Sequence, residues 1–371
     1  MTDETVMDRF PVYRIEGDSA FRRGAEHGEQ AREQIGATVE TYEQIFRDFV
    51  GLDWTEAKQI GMAYAPRIRE YAADLAEEIR GVAAGSGFDE GDILALNARS
   101  EIALSARFVD GCTSVAAFGR ATRDSTTVLC QNWDWRPSLR DSMVVLLVEQ
   151  PGKPSLTMLT EAGIIGKLGF NSAGLGVCLN ALVTDRVDED GTPLHVVLRS
   201  ILDSWTLGDA IGAVARARIA CAANFLVAQH GNGAVDIEAV PDALDVLLPE
   251  CDTLVHTNHV LSPRLSGVRC LGALAFPDSY VRLARVRRLV EEQHGRIDLD
   301  TARAILRDHA NAPDSICRHL DEVVDPEGRR IHSVFSLVMD LEEGRFELTD
   351  GPPCSSEFFS PVRGAVAATA A

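Results

Sequence analysis

The order of predicted elements places this chain in the α+β class: two antiparallel sheets packed face to face, helices on their outer faces, and a helical segment in front. Three observations carry that prediction. Up to about residue 110 the apolar residues recur with a helical period. At Cys112 the period changes to that of strands. From there strands, a helical middle, strands, helices and a last hairpin follow without a long linker or an internal repeat.

Taken in order, residues 11–16 alternate and predict a first strand. From Ser19 to Val50, Phe21, Ala25, Ala31, Ile35, Val39, Tyr42 and Phe46 recur at helical spacing. A second helix is predicted over 55–84, with Pro66 as a break or kink and Gly85-Ser86-Gly87 as its end. Asp89 precedes a third, running to about Leu104. Strands are then expected at 112–118, 126–132, 143–149 and 156–161, and again at 176–180 after a glycine-rich stretch. Helices near 193–203 and 206–218 come next. Strands at 223–229 and 234–240 are joined by Gly231-Asn232-Gly233, a hairpin signal, and others fit 244–248 and 252–256. A basic amphipathic helix (278–294), a shorter one (300–308) and a hairpin around Glu343-Gly344 close the chain.

Composition excludes several functions. With 56 acidic and 36 basic residues the net charge is −20, which opposes binding to nucleic acid or an anionic membrane. No apolar run is long enough to span a bilayer. Met1-Thr2-Asp3-Glu4 lacks the layout of a signal peptide, so a cytoplasmic location is expected. Eight cysteines without a CxxC pair, in a chain of 371 residues, read as reduced thiols.

The chemistry centres on Asp110-Gly111-Cys112-Thr113-Ser114 and Gln131-Asn132-Trp133-Asp134-Trp135. A cysteine thiol, ordinarily of pKa about 8.5, needs a base. If Cys112 cut its own bond to Gly111, its freed α-amino group, of pKa about 7.7–8.0, would be that base. Gly111 suits such a bond because no Cβ hinders approach to its carbonyl. A Gly-Cys pair before an apolar run equally reads as a turn leading into a strand with a buried cysteine. Asp134, between two tryptophans, suits an orienting partner for an amine. Asn258 offers an uncharged amide donor for an oxyanion. Arg282, Arg285 and Arg288 share a helix face, from which one could hold a carboxylate. Residues 163–169 lack the Ser or Thr of a phosphate loop and read as a hairpin or pocket wall. His256 and His259 are too few for a metal, and no Cys/His cluster is apparent, so neither metal nor cofactor is expected.

Together these segments resemble the isopenicillin N acyltransferase-like family of self-cleaving N-terminal-nucleophile enzymes. The matching stretches are residues 110–114, 131–135, 163–180, 256–259, 278–282 and 348–354, in the family's order. The resemblance implies a four-layer αββα sandwich, a small chain 1–111 packed on a catalytic domain 112–371, and cleavage between Gly111 and Cys112. It implies Cys112 as nucleophile, Asp134 near its amine, Asn258 at the oxyanion and Arg282 as an active-site arginine. The expected reaction is hydrolysis of a small N-acyl or peptide-like amide through a thioester. Acyl transfer from a coenzyme A thioester or amide to an amine, or a non-catalytic scaffold, remain the alternatives. Expected partners are that small molecule and the other self-cleaved chain, and a homo-oligomer is compatible with the sequence.

Overall fold

The structure, a computed structural model, describes residues 9–105, 111–320 and 331–362. Asp110 and the acidic N-terminus lie outside them. Strands β1 to β7 are Val12–Ile15, Gly111–Ala117, Val128–Trp135, Met143–Val148, Leu156–Glu161, Leu168–Asn171 and Leu175–Ala181. Strands β8 to β13 are Ala223–Gln229, Gly233–Val240, Ala243–Leu247, Thr253–His256, His332–Asp340 and Arg345–Leu348. They form an eight-stranded sheet, β1-β4-β5-β6-β7-β8-β9-β10, and a five-stranded sheet, β11-β2-β3-β12-β13.

The two sheets face each other through β2, β3, β7 and β8. Helices Leu194–Leu202 and Leu207–Ala217 pack on β6 to β9, and Arg32–Ile45 touches β5. Helices Asp278–Glu292 and Leu299–Leu306 close the far side of the five-stranded sheet. The layers are therefore helix, sheet, sheet, helix, as the sequence predicts. The period of two sorts each inner strand. Cys112, Ala116, Leu129, Trp133 and Trp135 join the large core. Val115, Ala117, Val128 and Cys130 join a second core under the two helices of the five-stranded sheet.

Several expectations are corrected. The sheets are not wholly antiparallel: β1 pairs parallel with β4, Val12 opposite Val145. The N-terminal segment thus adds a strand to the core sheet as well as helices. The long helix from Ser19 divides into Ala20–Gln30, Arg32–Ile45 and a wider turn, Phe46–Val50, ended by Gly51 at φ +77°. The second divides into Trp54–Ala63, Ala65–Tyr71 and Ala73–Ser86, with Pro66 in a first turn, where its missing N–H costs nothing. Ala20–Gln30 and Ala73–Ser86 lie almost backbone to backbone: a Cβ on Gly24 would sit 2.0 Å from the Glu78 carbonyl oxygen. The strand expected at 126–132 runs instead to Trp135, so Asp134 is within the sheet. The glycine-rich stretch holds a strand, β6, that the sequence did not predict.

None of the eight cysteines forms a disulfide. Among the described residues no helix is long and apolar enough to cross a membrane.

Candidate active site

Register builds this site. In the β2–β3 ladder Gly111 stands opposite Asp134 and Cys112 opposite Trp133. On the other side His256 stands opposite Ser114. Continuing that pairing brings Asn258 level with Cys112. The Cys112 N–H donates to Asn258 Oδ1 at 2.9 Å, and both residues are buried.

The helix Asp278–Glu292 supplies the next layer from adjacent turns of one face. Ser279 Oγ accepts from the Asn258 N–H at 2.8 Å and fixes that backbone. Arg282, wholly buried, donates from Nη1 to the Cys112 carbonyl at 2.6 Å and to Thr113 Oγ1 at 2.9 Å. Its Nη2 donates to Asn258 Oδ1 at 2.9 Å. Its Nε donates to Asp278 Oδ2 at 2.7 Å. One guanidinium therefore holds the Cys112 carbonyl directly and its N–H through Asn258, which a single-point ammonium would not reproduce.

Asn258 turns its oxygen toward Cys112, because both groups that meet it there are N–H donors. Its Nδ2 donates instead to the Ala181 carbonyl at 3.1 Å. The donor expected from sequence at the oxyanion is thus directed at β7.

Asp134 is buried on the helix side of β3. Ser333 donates from Oγ to Asp134 Oδ1 at 2.7 Å, and Arg318 Nε stands 3.6 Å from Oδ2. Burial pushes this carboxyl up to about 6; Arg318, Arg282 and the Ser333 hydrogen bond pull down without cancelling it. Among the described residues Oδ2 has no hydrogen-bond donor. Asp278 behaves differently. Burial acts upward there too, but Arg282 and Arg318 outweigh it and hold Asp278 below the usual carboxylate range.

Arg318 is the residue that sequence reasoning missed. It is buried, donates to Asp278 Oδ2 at 2.5 Å, and also pairs with Asp314. Arg282, Arg318, Asp134 and Asp278 form a charge-balanced group behind Cys112. Arg318 lies in an irregular segment with no periodicity, and its flanking Cys317 and His319 were its only signal. The other arginines of the helix face turn away: Arg285 pairs with Asp308 and Arg288 with Glu292.

Other candidates resolve into packing. Lys167 is buried, paired with Glu161 and seated 3.3 Å from the centroid of the Trp133 ring. That is a packed interior arrangement and no phosphate cradle. His256 is held between Glu238, 2.8 Å from Nε2, and the Thr257 carbonyl. His259 stacks on Tyr280, and burial lowers it to about 4. They share no ligand set. The expectation that no Cys/His cluster exists does not hold, however. His309, Cys317, His319 and Cys354 place four donor atoms within 4.8 Å of one another.

A small cavity lies on the inter-sheet side. Arg99, Ala103 and Leu104 of the N-terminal segment cover it, and Trp135, Ala181 and Cys221 line it. Ala181 is the residue whose carbonyl holds Asn258, so cavity wall and Cys112 share a partner.

A four-layer αββα sandwich with a cysteine near the start of an inner strand is the N-terminal-nucleophile hydrolase architecture. Within it, the chain belongs to the acyl-coenzyme A:6-aminopenicillanic acid acyl-transferase family of enzymes, whose pattern matches residues 121–352. The 40 kDa form of acyl-coenzyme A:6-aminopenicillanic-acid-acyltransferase from Emericella nidulans is 30% identical over 321 residues, 85% of this chain and 86% of that protein. Among solved structures, penicillin V acylase from Agrobacterium tumefaciens aligns with a TM-score of 0.43 at 11% identity, over 69% of this chain and 88% of that one. A mutant conjugated bile acid hydrolase from Clostridium perfringens aligns at 0.41 and 13% identity, over 68% and 97%.

Proposed function

We propose that this protein cuts itself before Cys112 and then acts as an N-terminal cysteine amidohydrolase on a small N-acyl or peptide-like amide. The observation that carries this reading is the clamp on Cys112: its N–H on Asn258 and its carbonyl on Arg282, with Asp134 opposite Gly111. A buried cysteine that served only for packing would not need both backbone atoms held by side chains.

In the first stage the Cys112 sulfur attacks the Gly111 carbonyl. The carbon–nitrogen bond breaks, the thiol proton passes to the departing nitrogen, and a thioester joins Gly111 to Cys112. Water then hydrolyses it, leaving a Gly111 carboxylate, a free thiol and a new α-amine. Asn258 Oδ1, already an acceptor for this nitrogen, would hold the amine, and Asp134, buried and ionisable, would favour its charged form. Chains 1–111 and 112–371 would stay together. The parallel pairing of β1 with β4 and the bond from Tyr42 Oη to Glu161 Oε1 at 2.8 Å support that association.

In turnover the amine takes the thiol proton and the sulfur attacks the substrate carbonyl. The oxyanion role assigned to Asn258 would fall to Nδ2, which faces the Ala181 carbonyl beside the cavity. Removing one such donor typically costs ~10²–10³ in rate. Water completes hydrolysis. An amine in its place would complete acyl transfer, the second reading, which the name of the Emericella relative supports. A coenzyme A donor would have to rely on arginines for its phosphates. The only three lysines are committed to carboxylates: Lys58 to Asp89, Lys153 to Asp203 and Lys167 to Glu161.

Intact mass and N-terminal sequencing test the first stage. Two fragments, one beginning Cys-Thr-Ser, are expected from wild type and one uncut chain from Cys112→Ala. A stable wild-type chain at 40.3 kDa would favour a scaffold and overturn the scheme. A panel of N-acyl amines, with and without an amine acceptor, separates hydrolysis from transfer.

A further inference from the structure

Four side chains outside the active site converge from distant parts of the chain. His309, Cys317 and His319 belong to the segment after the helix Leu299–Leu306, and Cys354 to the turn after β13. Nε2 of His319 lies 3.0 Å from Nε2 of His309, 3.5 Å from Sγ of Cys317 and 3.4 Å from Sγ of Cys354.

Hydrogen bonding does not account for this arrangement. An imidazole nitrogen has a single in-plane lone pair or a single N–H, so it satisfies one partner and not three. The three spacings from His319 are close to the edges of a tetrahedron around a shared point, and all four donor atoms lie within 4.8 Å of one another. With metal–sulfur bonds of about 2.3 Å and metal–nitrogen bonds of about 2.0–2.1 Å, tetrahedral angles give N···N edges of about 3.3 Å and N···S edges of about 3.5 Å.

We infer that His309, Cys317, His319 and Cys354 bind one Zn²⁺ as a closed Cys₂His₂ site. Two thiols and two imidazoles are the donor set that suits zinc with tetrahedral coordination. On binding, each thiol releases its proton to solvent and no electron moves. The two thiolates then neutralise the ion, and the neutral imidazoles complete the shell.

The surroundings suit such a site. The Cys317 N–H donates to the Asp308 carbonyl at 3.0 Å and the His319 N–H to the Pro313 carbonyl at 3.1 Å, so both ligands sit on a tied backbone. Cys317 is buried, whereas His309 and Cys354 are exposed, which gives the ion a way in. Four protein donors leave no open position, the mark of a structural rather than a catalytic ion. Its place is informative. Arg318 lies between two of the ligands and reaches Asp278 and Asp134, so the ion would anchor the segment that carries Arg318 toward Cys112.

The test uses the full chain, purified with its thiols reduced and dialysed against metal-free buffer. Elemental mass spectrometry should find about one zinc per chain. Co²⁺ exchanged into the site should give the visible bands of tetrahedral coordination and a thiolate-to-cobalt charge-transfer band. Cys354→Ser and His309→Ala change exposed side chains. Each should lower Zn²⁺ affinity by more than ~100-fold, since loss of even an outer partner costs ~10–100-fold. Absence of stoichiometric zinc and of the Co²⁺ spectrum in wild type would overturn the inference, as would variants that keep full affinity. A wild-type chain lighter by two hydrogens, with Cys317 and Cys354 joined, would overturn it in favour of a disulfide. Cys112→Ala should bind the same amount of zinc, so this result stands apart from that of the self-cleavage test.

Discussion

Gly111 and Asp134 face each other across the β2–β3 ladder so closely that a Cβ on residue 111 would sit 3.2 Å from both Cβ and Oδ2 of Asp134. The bond proposed to be cut therefore lies against a buried carboxylate, and a methyl group at residue 111 would press on it. Gly111→Ala should fold, because contacts of 3.2 Å ask the Asp134 side chain to give only slightly. Self-cleavage should slow by ~10-fold, about 1.4 kcal/mol of barrier. A time course of intact mass after synthesis reads this directly, and wild-type processing in the variant would refute it.

Asp134 sets a pH dependence. Its folded value of about 6 lies above the ordinary 3.8, so folding favours the protonated acid. That stabilisation is complete below about pH 4 and is lost as pH rises through 6. In a Cys112→Ala background, Asp134→Asn should gain on its parent in denaturation midpoint between about pH 4 and 7, by up to ~3 kcal/mol. Activity of the otherwise wild-type enzyme should fall on acidification through about 6, where the carboxylate is lost. A flat stability difference across that range would contradict the assignment.

Arg282→Lys keeps the charge and removes the fork that spans the Cys112 carbonyl, Thr113 and Asn258. Processing and kcat should each drop by at least ~10-fold while the fold persists. Near-ultraviolet circular dichroism checks the fold, and gel analysis with steady-state kinetics checks the loss.

The pair under Trp133 is a stability device. Burial opposes ionisation of Glu161, but Lys167 and Arg99 overcome it and hold the acid well below its usual range. Its stabilisation is present above the ordinary carboxylate value and disappears as pH falls beneath it. Lys167→Met should cost ~3–5 kcal/mol in urea denaturation at neutral pH, because a buried carboxylate loses its main counter-charge. Acid unfolding should begin at a higher pH in the variant. A cost below ~1 kcal/mol would show that Arg99 and Tyr42 suffice.

Much of the fold was legible because local rules and burial agree. Asp89 and Thr206 start helices through capping boxes where the sequence has the right spacing. The turn between β8 and β9 holds Gly231 and Gly233 at φ +68° and +95°, which a Gly-Asn-Gly run anticipates. Legibility failed where pairing is long-range. Nothing near residues 12–15 encodes a parallel partner at 145–148, and the run through Trp133-Asp134-Trp135 is strand because β2 and β12 flank it.

The sequence by itself determined which groups were available: the Gly111–Cys112 bond, the alternation that buries Cys112 between sheets, and Asp134, Asn258 and Arg282 in recognisable stretches. Only the tertiary structure decided what they meet. It turned Asn258's oxygen to the Cys112 nitrogen, placed Arg318 between Asp134 and Asp278, and drew Cys354 to His309, Cys317 and His319. Local spacing specifies which face of an element a side chain occupies. Contacts between residues far apart in the chain depend instead on which elements pack together, and that choice is made by the whole core at once.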